Sequence, residues 1–327
     1  MAVCAALCLA TRVAFAAADT ASAEANVESP VSLAASGGSI QGSLLLPRSA
    51  AKLPVVLLVA GSGPTDRDGN SRGAAGRNDS LKLLANALAA AGFASLRYDK
   101  RGIAASAGAM GREADLRFET YVQDAAAWAR QLADDARFSG VAIVGHSEGS
   151  LIAMLATRQA RIAAFASIAG PGSPASTLLR VQLLGKLPPE LVERNERILR
   201  DLEAGMPVDE VPPSLAALYR PSVQPYLMSW FKYTPAVEIG KLAMPVAIFQ
   251  GDTDIQVPVS EATLLAQGQP AAELHIVAGM NHVLKAAAAD RASQLAPYAN
   301  PALPIAPGLV VPLVDFLRRA MPNGAKN

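Results

Sequence analysis

Residues 141–156 read VAIVGHSEGSLIAMLA, and this stretch decides the fold. It opens on the apolar run Val141 to Val144, rich in β-branched residues as strands are. It turns through Gly145-His146-Ser147-Glu148-Gly149 and enters an apolar segment of helical character. A serine between two glycines at this spacing, after a strand and before a helix, is the G-x-S-x-G pattern of a nucleophile elbow. So tight a turn holds the serine in strained backbone. The glycines lack the side chains that would keep strand and helix apart. The hydroxyl then stands at the strand's carboxyl end, facing the positive end of the helix dipole. The bland alternative is a glycine-flanked serine that only caps the helix.

Outward from the elbow, strands and helices alternate. Two short strand-like runs, Val31 to Ala34 and Ile40 to Leu46, flank the turn signal Ser36-Gly37-Gly38. Pro54 to Ala60 is apolar throughout, as in a strand buried on both faces, and leads into Gly61-Ser62-Gly63-Pro64 and a polar loop. Leu81, Leu84, Ala85 and Leu88 recur at helical spacing until Gly92. Phe93 to Tyr98 is the next strand, and a helix from Thr120 to Asp135 carries Val122, Ala125, Ala126, Ala129 and Leu132 on one face. Further strands follow at Ala163 to Ala169, Met244 to Gln250 and Glu273 to Val277. A helix over Leu309 to Ala320 closes the chain, and the proline-rich Leu295 to Gly308 reads as an extended surface crossing. Such alternation implies the α/β class, with a mostly parallel twisted sheet and helices on both faces.

The alternation stops at Pro171. Residues 172–240 hold no run that reads as a buried strand, and are expected to form an inserted helical lid. The core would then be 24–171 and 241–327. Within the insert, Leu191, Asn195, Ile198 and Leu202 form a stripe, and Glu193–Arg197 and Glu196–Arg200 pair at i,i+4 on the other side.

With 327 residues, 51% of them apolar and 17% charged, the chain has ample material for a core. A formal net charge of +1 gives no reason to expect a nucleic-acid partner. Residues 1–23 read as a signal peptide, with A-x-A sites at Ala14-Phe15-Ala16 and Ala21-Ser22-Ala23 but no basic n-region. Export to the periplasm or medium is therefore expected, with no stable membrane span in the mature form. Both cysteines, Cys4 and Cys8, fall in the leader, so disulfide and thiol chemistry are not expected of the mature protein.

A serine hydroxyl needs a base, and the base needs an orienting acid. There are three histidines. His146 sits inside the elbow and His275 inside a strand, whereas His282 follows the last strand, in a loop at the reactive edge of the sheet. His282 is the expected base. The loop after Gln250 offers Asp252 and Asp254; Asp254 is the expected acid, since Asp252 directly follows Gly251 and suits a turn-holding role. Two backbone N–H donors should face the oxyanion: that of Glu148, and that of Ser62 or Gly63, since Pro64 has none. Losing one such donor costs ~10²–10³ in rate.

The chain resembles the α/β-hydrolase superfamily over residues 30–320, within its bacterial esterase, lysophospholipase and serine-aminopeptidase-like branch. The resemblance rests on Gly61 to Asn70 (GSGPTDRDGN), Arg97 to Gly102 (RYDKRG), Gly145 to Gly149, the Gly251–Asp254–Val257-Pro258 pattern and Asn281-His282. The order Ser147, Asp254, His282 is also that superfamily's order. Ala60 stands where many relatives have histidine, and Ala104 where many have glycine. The resemblance implies an α/β-hydrolase fold and a serine hydrolase, with a carboxylic-ester hydrolase favoured. An exo-acting aminopeptidase-like enzyme on the same triad is the alternative. A non-catalytic binding protein is the third.

Tyr219, Tyr226, Trp230, Phe231 and Tyr233 cluster in the insert. Tyr226, Trp230 and Phe231 are candidates to line an apolar acyl pocket, against the plainer role of packing the insert onto the core. The loop Thr65 to Arg77 carries Asp66, Arg67, Asp68, Arg72 and Arg77, either as a polar rim for substrate or as a solvated loop tied by its own salt bridges. The peptidase alternative would use Glu190, Glu193, Glu196 and Glu203 to hold a substrate amine. No metal-ligand spacing or phosphate-binding loop is visible, so no cofactor is expected. The partner expected is a small-molecule ester or amide.

Overall fold

The apolar runs around the elbow become the middle strands of one eight-stranded sheet. The computed structural model of the chain describes residues 26–49, 51–72 and 76–321. The expected leader, with Cys4 and Cys8, lies outside the described residues. The strands are β1 (Val27–Ala35), β2 (Gly38–Leu46), β3 (Leu53–Val59), β4 (Ala94–Tyr98), β5 (Phe138–His146), β6 (Ala164–Ile168), β7 (Val246–Gly251) and β8 (Glu273–Val277). Their order across the sheet is β1-β2-β4-β3-β5-β6-β7-β8. β2 runs antiparallel to both β1 and β4; every pairing from β4 to β8 is parallel.

Helix α1 (Ser80–Ala90) follows β3, α2 (Phe118–Ala133) precedes β5, and α3 (Glu148–Thr157) follows it. Between β6 and β7 come α4 (Ala175–Leu183), α5 (Pro189–Glu203), α6 (Ala216–Tyr219), α7 (Gln224–Trp230) and α8 (Pro235–Ile239). The last three are α9 (Val259–Gly268), α10 (Arg291–Leu295) and α11 (Pro307–Ala320).

The middle strands are apolar on both faces because each face has its own core. Val55, Leu57, Val59, Val141 and Ile143 pack with α2, α3 and residues of the helices between β6 and β7. The alternate residues Val56, Leu58, Ala142 and Val144 pack with α1 and α11. This is the two-sided burial that makes parallel strands read as continuous apolar runs. β3 and β5 lie side by side, with Val59 opposite Gly145. The chain leaves β3 for β4 on one side and returns to β5 on the other. The crevice at their carboxyl ends is therefore a topological switch point, where ligands bind in such sheets.

Two local expectations are corrected, and one helix is new. Leu295 to Gly308 is not extended throughout: α10 ends at Leu295 and a 3₁₀ turn, Ala296–Ala299, follows it. The cause is at the other end, where the Asp290 carboxylate caps the N–H of Ser293. α9 had no counterpart in the sequence reading. Glu196 does not turn to Arg200 but crosses to Arg180 on α4, at 2.9 Å.

Candidate active site

Ser147 has φ 55° and ψ −125°, a backbone conformation that side-chain-bearing residues rarely adopt. The glycines on either side are required by close approach. A Cβ on Gly145 would lie 2.5 Å from Ser150 Cα, and one on Gly149 would lie 2.7 Å from the Ala60 carbonyl oxygen. Ser147 occupies the N-cap position of α3, yet its side chain makes no capping hydrogen bond. Its hydroxyl is therefore not engaged in capping the helix.

Asp254 and His282 are brought together from two loops. His282 Nδ1 donates to Asp254 Oδ2 at 2.7 Å, with both side chains buried. The other carboxylate oxygen accepts the N–H groups of Gln256 and Val257, at 2.8 and 3.0 Å. Burial alone would raise the Asp254 pKa. The charge and hydrogen bond of His282, with those two N–H donors, outweigh it and hold the carboxyl below its ordinary range. Asp252 does hold a turn, though across the gap between loops, by accepting from Gly279 N at 2.6 Å.

His146 secures the backbone of His282. Its Nε2 donates to the His282 carbonyl oxygen at 2.8 Å, and the two rings lie 4.9 Å apart. A carbonyl only accepts, so Nε2 carries the proton. Burial, then the neighbouring His282, lowers the His146 pKa to about 3, which keeps the ring neutral. His275 lies away from this cluster, stacked on Phe249 with centroids 4.8 Å apart. Among the described residues no hydrogen bond joins the Ser147 hydroxyl to the His282 ring.

The turn after β3 lies against the elbow: a Cβ on Gly61 would be 3.1 Å from Ser147 Cβ. Ser62 and Gly63 are exposed there. Glu148 contributes the first N–H of α3, which has no intrahelical acceptor. Its side chain is buried and paired with Lys100 at 2.7 Å. It also accepts the Tyr226 hydroxyl, whose pKa burial and then the Glu148 charge push well above the ordinary phenol value. Lys100 is itself 1% exposed and gives a second hydrogen bond to the Gly61 carbonyl, at 2.6 Å. No sequence argument had given Lys100 a role. The signal was there, as a strand whose end carries Arg97, Asp99, Lys100 and Arg101 where the middle of a sheet should be apolar.

The insert aromatics pack against α2. Trp230 stacks on Phe118 at 5.7 Å and 2° between planes, and Tyr226 meets Tyr121 edge-on at 5.7 Å. Phe231 and Tyr226 are buried, while Trp230 keeps part of its surface free. The loop after Thr65 is tied to β4 and to itself: Arg67 pairs with Asp99 at 2.7 Å, Arg97 with Asp68 at 3.3 Å and Arg77 with Asp79 at 3.0 Å. Glu196 and Glu203 both hold Arg180, at 2.9 and 2.7 Å, and Glu193 is on the outside of α5. Among the described residues no three His, Cys, Asp or Glu side chains group as metal ligands, and no helix is long and apolar enough to cross a membrane.

Comparison with known proteins agrees with this architecture. Residues 72–204 match the model of the family described as serine aminopeptidase, S33. The chain is 24% identical over 248 residues to esterase EstD of Thermotoga maritima, covering 75% of this chain and 58% of that protein. The α/β hydrolase GrgF from Penicillium sp. sh18 superposes with a TM-score of 0.57 at 19% identity, over 90% of this chain and 99% of that one. The Pyrococcus furiosus esterase Pf2001 gives a TM-score of 0.57 at 17% identity, over 90% of this chain and 91% of that one.

Proposed function

We propose that this chain, whose fold is that of the α/β-hydrolases, is a serine hydrolase that cleaves carboxylic esters. Ser147 is the nucleophile, His282 the base and Asp254 the acid that orients it. The observation that carries the proposal is the buried Asp254–His282 hydrogen bond, on the same sheet edge as a strained serine free of any capping duty. His282 takes the Ser147 proton as the hydroxyl attacks the ester carbonyl, then returns it to the leaving alcohol. Water, deprotonated by the same ring, releases the acid from the acyl-serine. The Ser147–His282 hydrogen bond forms with substrate in place, as such bonds often tighten only in the complex. The inserted helices act as a lid. Of Tyr226, Trp230 and Phe231, Trp230 is the one with surface left to meet an acyl group. The leader directs export, which fractionation of the host cell would test.

The ester reading is favoured over an exo-acting peptidase by the state of the insert carboxylates. Glu196 and Glu203 are both hydrogen-bonded to Arg180 and turned to it rather than to a substrate amine. Rates on an amino-acid arylamide and a matched aryl ester separate the two. Ester preference supports the proposal, and arylamide preference the peptidase. Ser147→Ala is expected to abolish ester turnover and fluorophosphonate labelling. Undiminished turnover in that variant refutes the mechanism.

A further inference from the structure

We propose that Lys100 is a positioning residue for the oxyanion hole, and that it selects the Ser62 N–H as the second donor. The inference rests on the serine-hydrolase reading. Its starting point is that a single buried ammonium holds the Gly61–Ser62 peptide by its carbonyl and, by its carboxylate, the side chain of Glu148, whose own N–H is the first donor. Lys100 Nζ donates to the Gly61 carbonyl at 2.6 Å and to Glu148 Oε2 at 2.7 Å. The Gly61 carbonyl and the Ser62 N–H belong to one peptide unit, which is trans, so they point in opposite directions. With the carbonyl turned inward to Lys100, the Ser62 N–H is turned outward, to the open side of the crevice beside Ser147. Neither Ser62 N–H nor Gly63 N–H has a hydrogen-bond partner among the described residues. The other donor is the backbone N–H of Glu148, whose side chain is the ammonium's second partner. The spacing between the two donors is thus set by one side chain that touches neither substrate nor Ser147.

The surroundings make that side chain rigid. Its ammonium lies 5.0 Å from the centre of the Tyr121 ring, and Tyr226 from α7 donates to the remaining oxygen of Glu148. The insert therefore completes the support of the hole. A buried pair of this kind contributes little to stability but fixes geometry where an unpaired partner would be costly. Oxyanion donors act only if held where charge develops.

The test compares an ester with its thionoester, whose sulfur is a poor hydrogen-bond acceptor, so oxyanion-hole support is worth little to it. Lys100→Met is expected to lower kcat on the oxo ester by ~10²-fold, the scale of one lost donor. KM and the thionoester rate should each change by less than about threefold if only transition-state support is lost. Because Lys100→Met leaves a buried carboxylate unpaired, the double variant Lys100→Met/Glu148→Gln is measured beside it. It removes both charges and still frees the Gly61 carbonyl, so the same loss of oxo preference is expected. Equal slowing of both substrates in the folded variants, or no slowing, overturns the role of Lys100. Fluorophosphonate labelling of Ser147 in the parent keeps the two levels apart. With label and turnover present, an unchanged oxo/thiono ratio refutes this inference alone. Absence of label refutes the serine-hydrolase reading and this inference with it.

Discussion

Replacing His146 by glutamine is expected to flatten the acid limb of the stability curve without weakening the protein at neutral pH. Glutamine can present an N–H near the position of the imidazole Nε2, so the hydrogen bond to the His282 carbonyl is retained, while the titrating group is lost. The parent ring is buried, with its pKa lowered to about 3 by burial and then by His282. In the unfolded chain it titrates near ~6.5. Above that value the ring is neutral in both states and contributes no pH dependence. As the pH falls below it, the unfolded chain binds a proton that the folded chain refuses, so stability falls, by about 1.4 kcal/mol per pH unit, until about pH 3. Integrated from about pH 7.5 to about pH 4.5, the loss is about 2.7 kcal/mol. Asp254 acts in a lower window. Its folded pKa is below the ordinary value, so its stabilisation is lost only as the pH falls below ~3.9. Asp68 and Asp124, raised chiefly by burial, are common to both proteins and cancel in the difference. Urea denaturation followed by tryptophan fluorescence at several pH values gives the two curves. Parent and variant should agree near neutrality and diverge by about 2–3 kcal/mol at the acid end. Parallel curves across that range would refute a buried neutral imidazole at this position.

Two further substitutions probe the reactive edge. Gly251→Ala would drive a Cβ into the Met280 carbonyl, so the loop bearing Asp254 must move off the loop bearing His282. A shift on the order of 1 Å should cost ~10²-fold in ester turnover, measured against the melting temperature to separate misplacement from unfolding. Asp254→Asn keeps an oxygen for the Gln256 and Val257 N–H groups, so the fold should persist. Its amide faces His282 Nδ1 and favours the wrong tautomer, and kcat should fall by ~10⁴. A loss below tenfold would show that another group orients the base.

The middle of the sheet was legible because burial on two faces leaves a continuous apolar run. β8 was read residue for residue, and β3 and β6 to within one residue at each end. The elbow was legible for a related reason: close approach of backbones forces glycines at fixed spacing around Ser147. α9 was not, since its buried face is only Glu261, Ala262 and Leu265, too narrow for a helical stripe to stand out. Asp254 could be preferred to Asp252 by position, but the N–H groups that hold each carboxylate depend on loop geometry that leaves no periodic trace. Glu196 shows the same limit from the other side. An i,i+4 partner was at hand in sequence, and an arginine on the neighbouring helix took it.

The largest feature hidden in the sequence is the charged end of β4. Arg97 lies in β4, flanked by strands on both sides, and Asp99, Lys100 and Arg101 directly follow its carboxyl end; all four are buried. Buried charges are costly unless paired, and here each finds a partner on a different element. Arg97 reaches Glu28 on β1 and Asp68 in the loop after β3. Asp99 takes Arg67 from that same loop, and its carboxylate also accepts Ala105 N. Lys100 takes Glu148 at the elbow, and Arg101 takes Asp124 on α2 at 2.7 Å. Apolar side chains of similar volume could fill the same space, and such replacements are often neutral or stabilising. They would not tell the loop after β3 where to lie relative to the elbow, because dispersion contacts have no direction. Charge-assisted hydrogen bonds do, and a site that depends on donors held beside Ser147 needs that direction more than it needs stability. The physical reason for four charged residues in RYDKRG is therefore orientation of the loops that meet at the switch point.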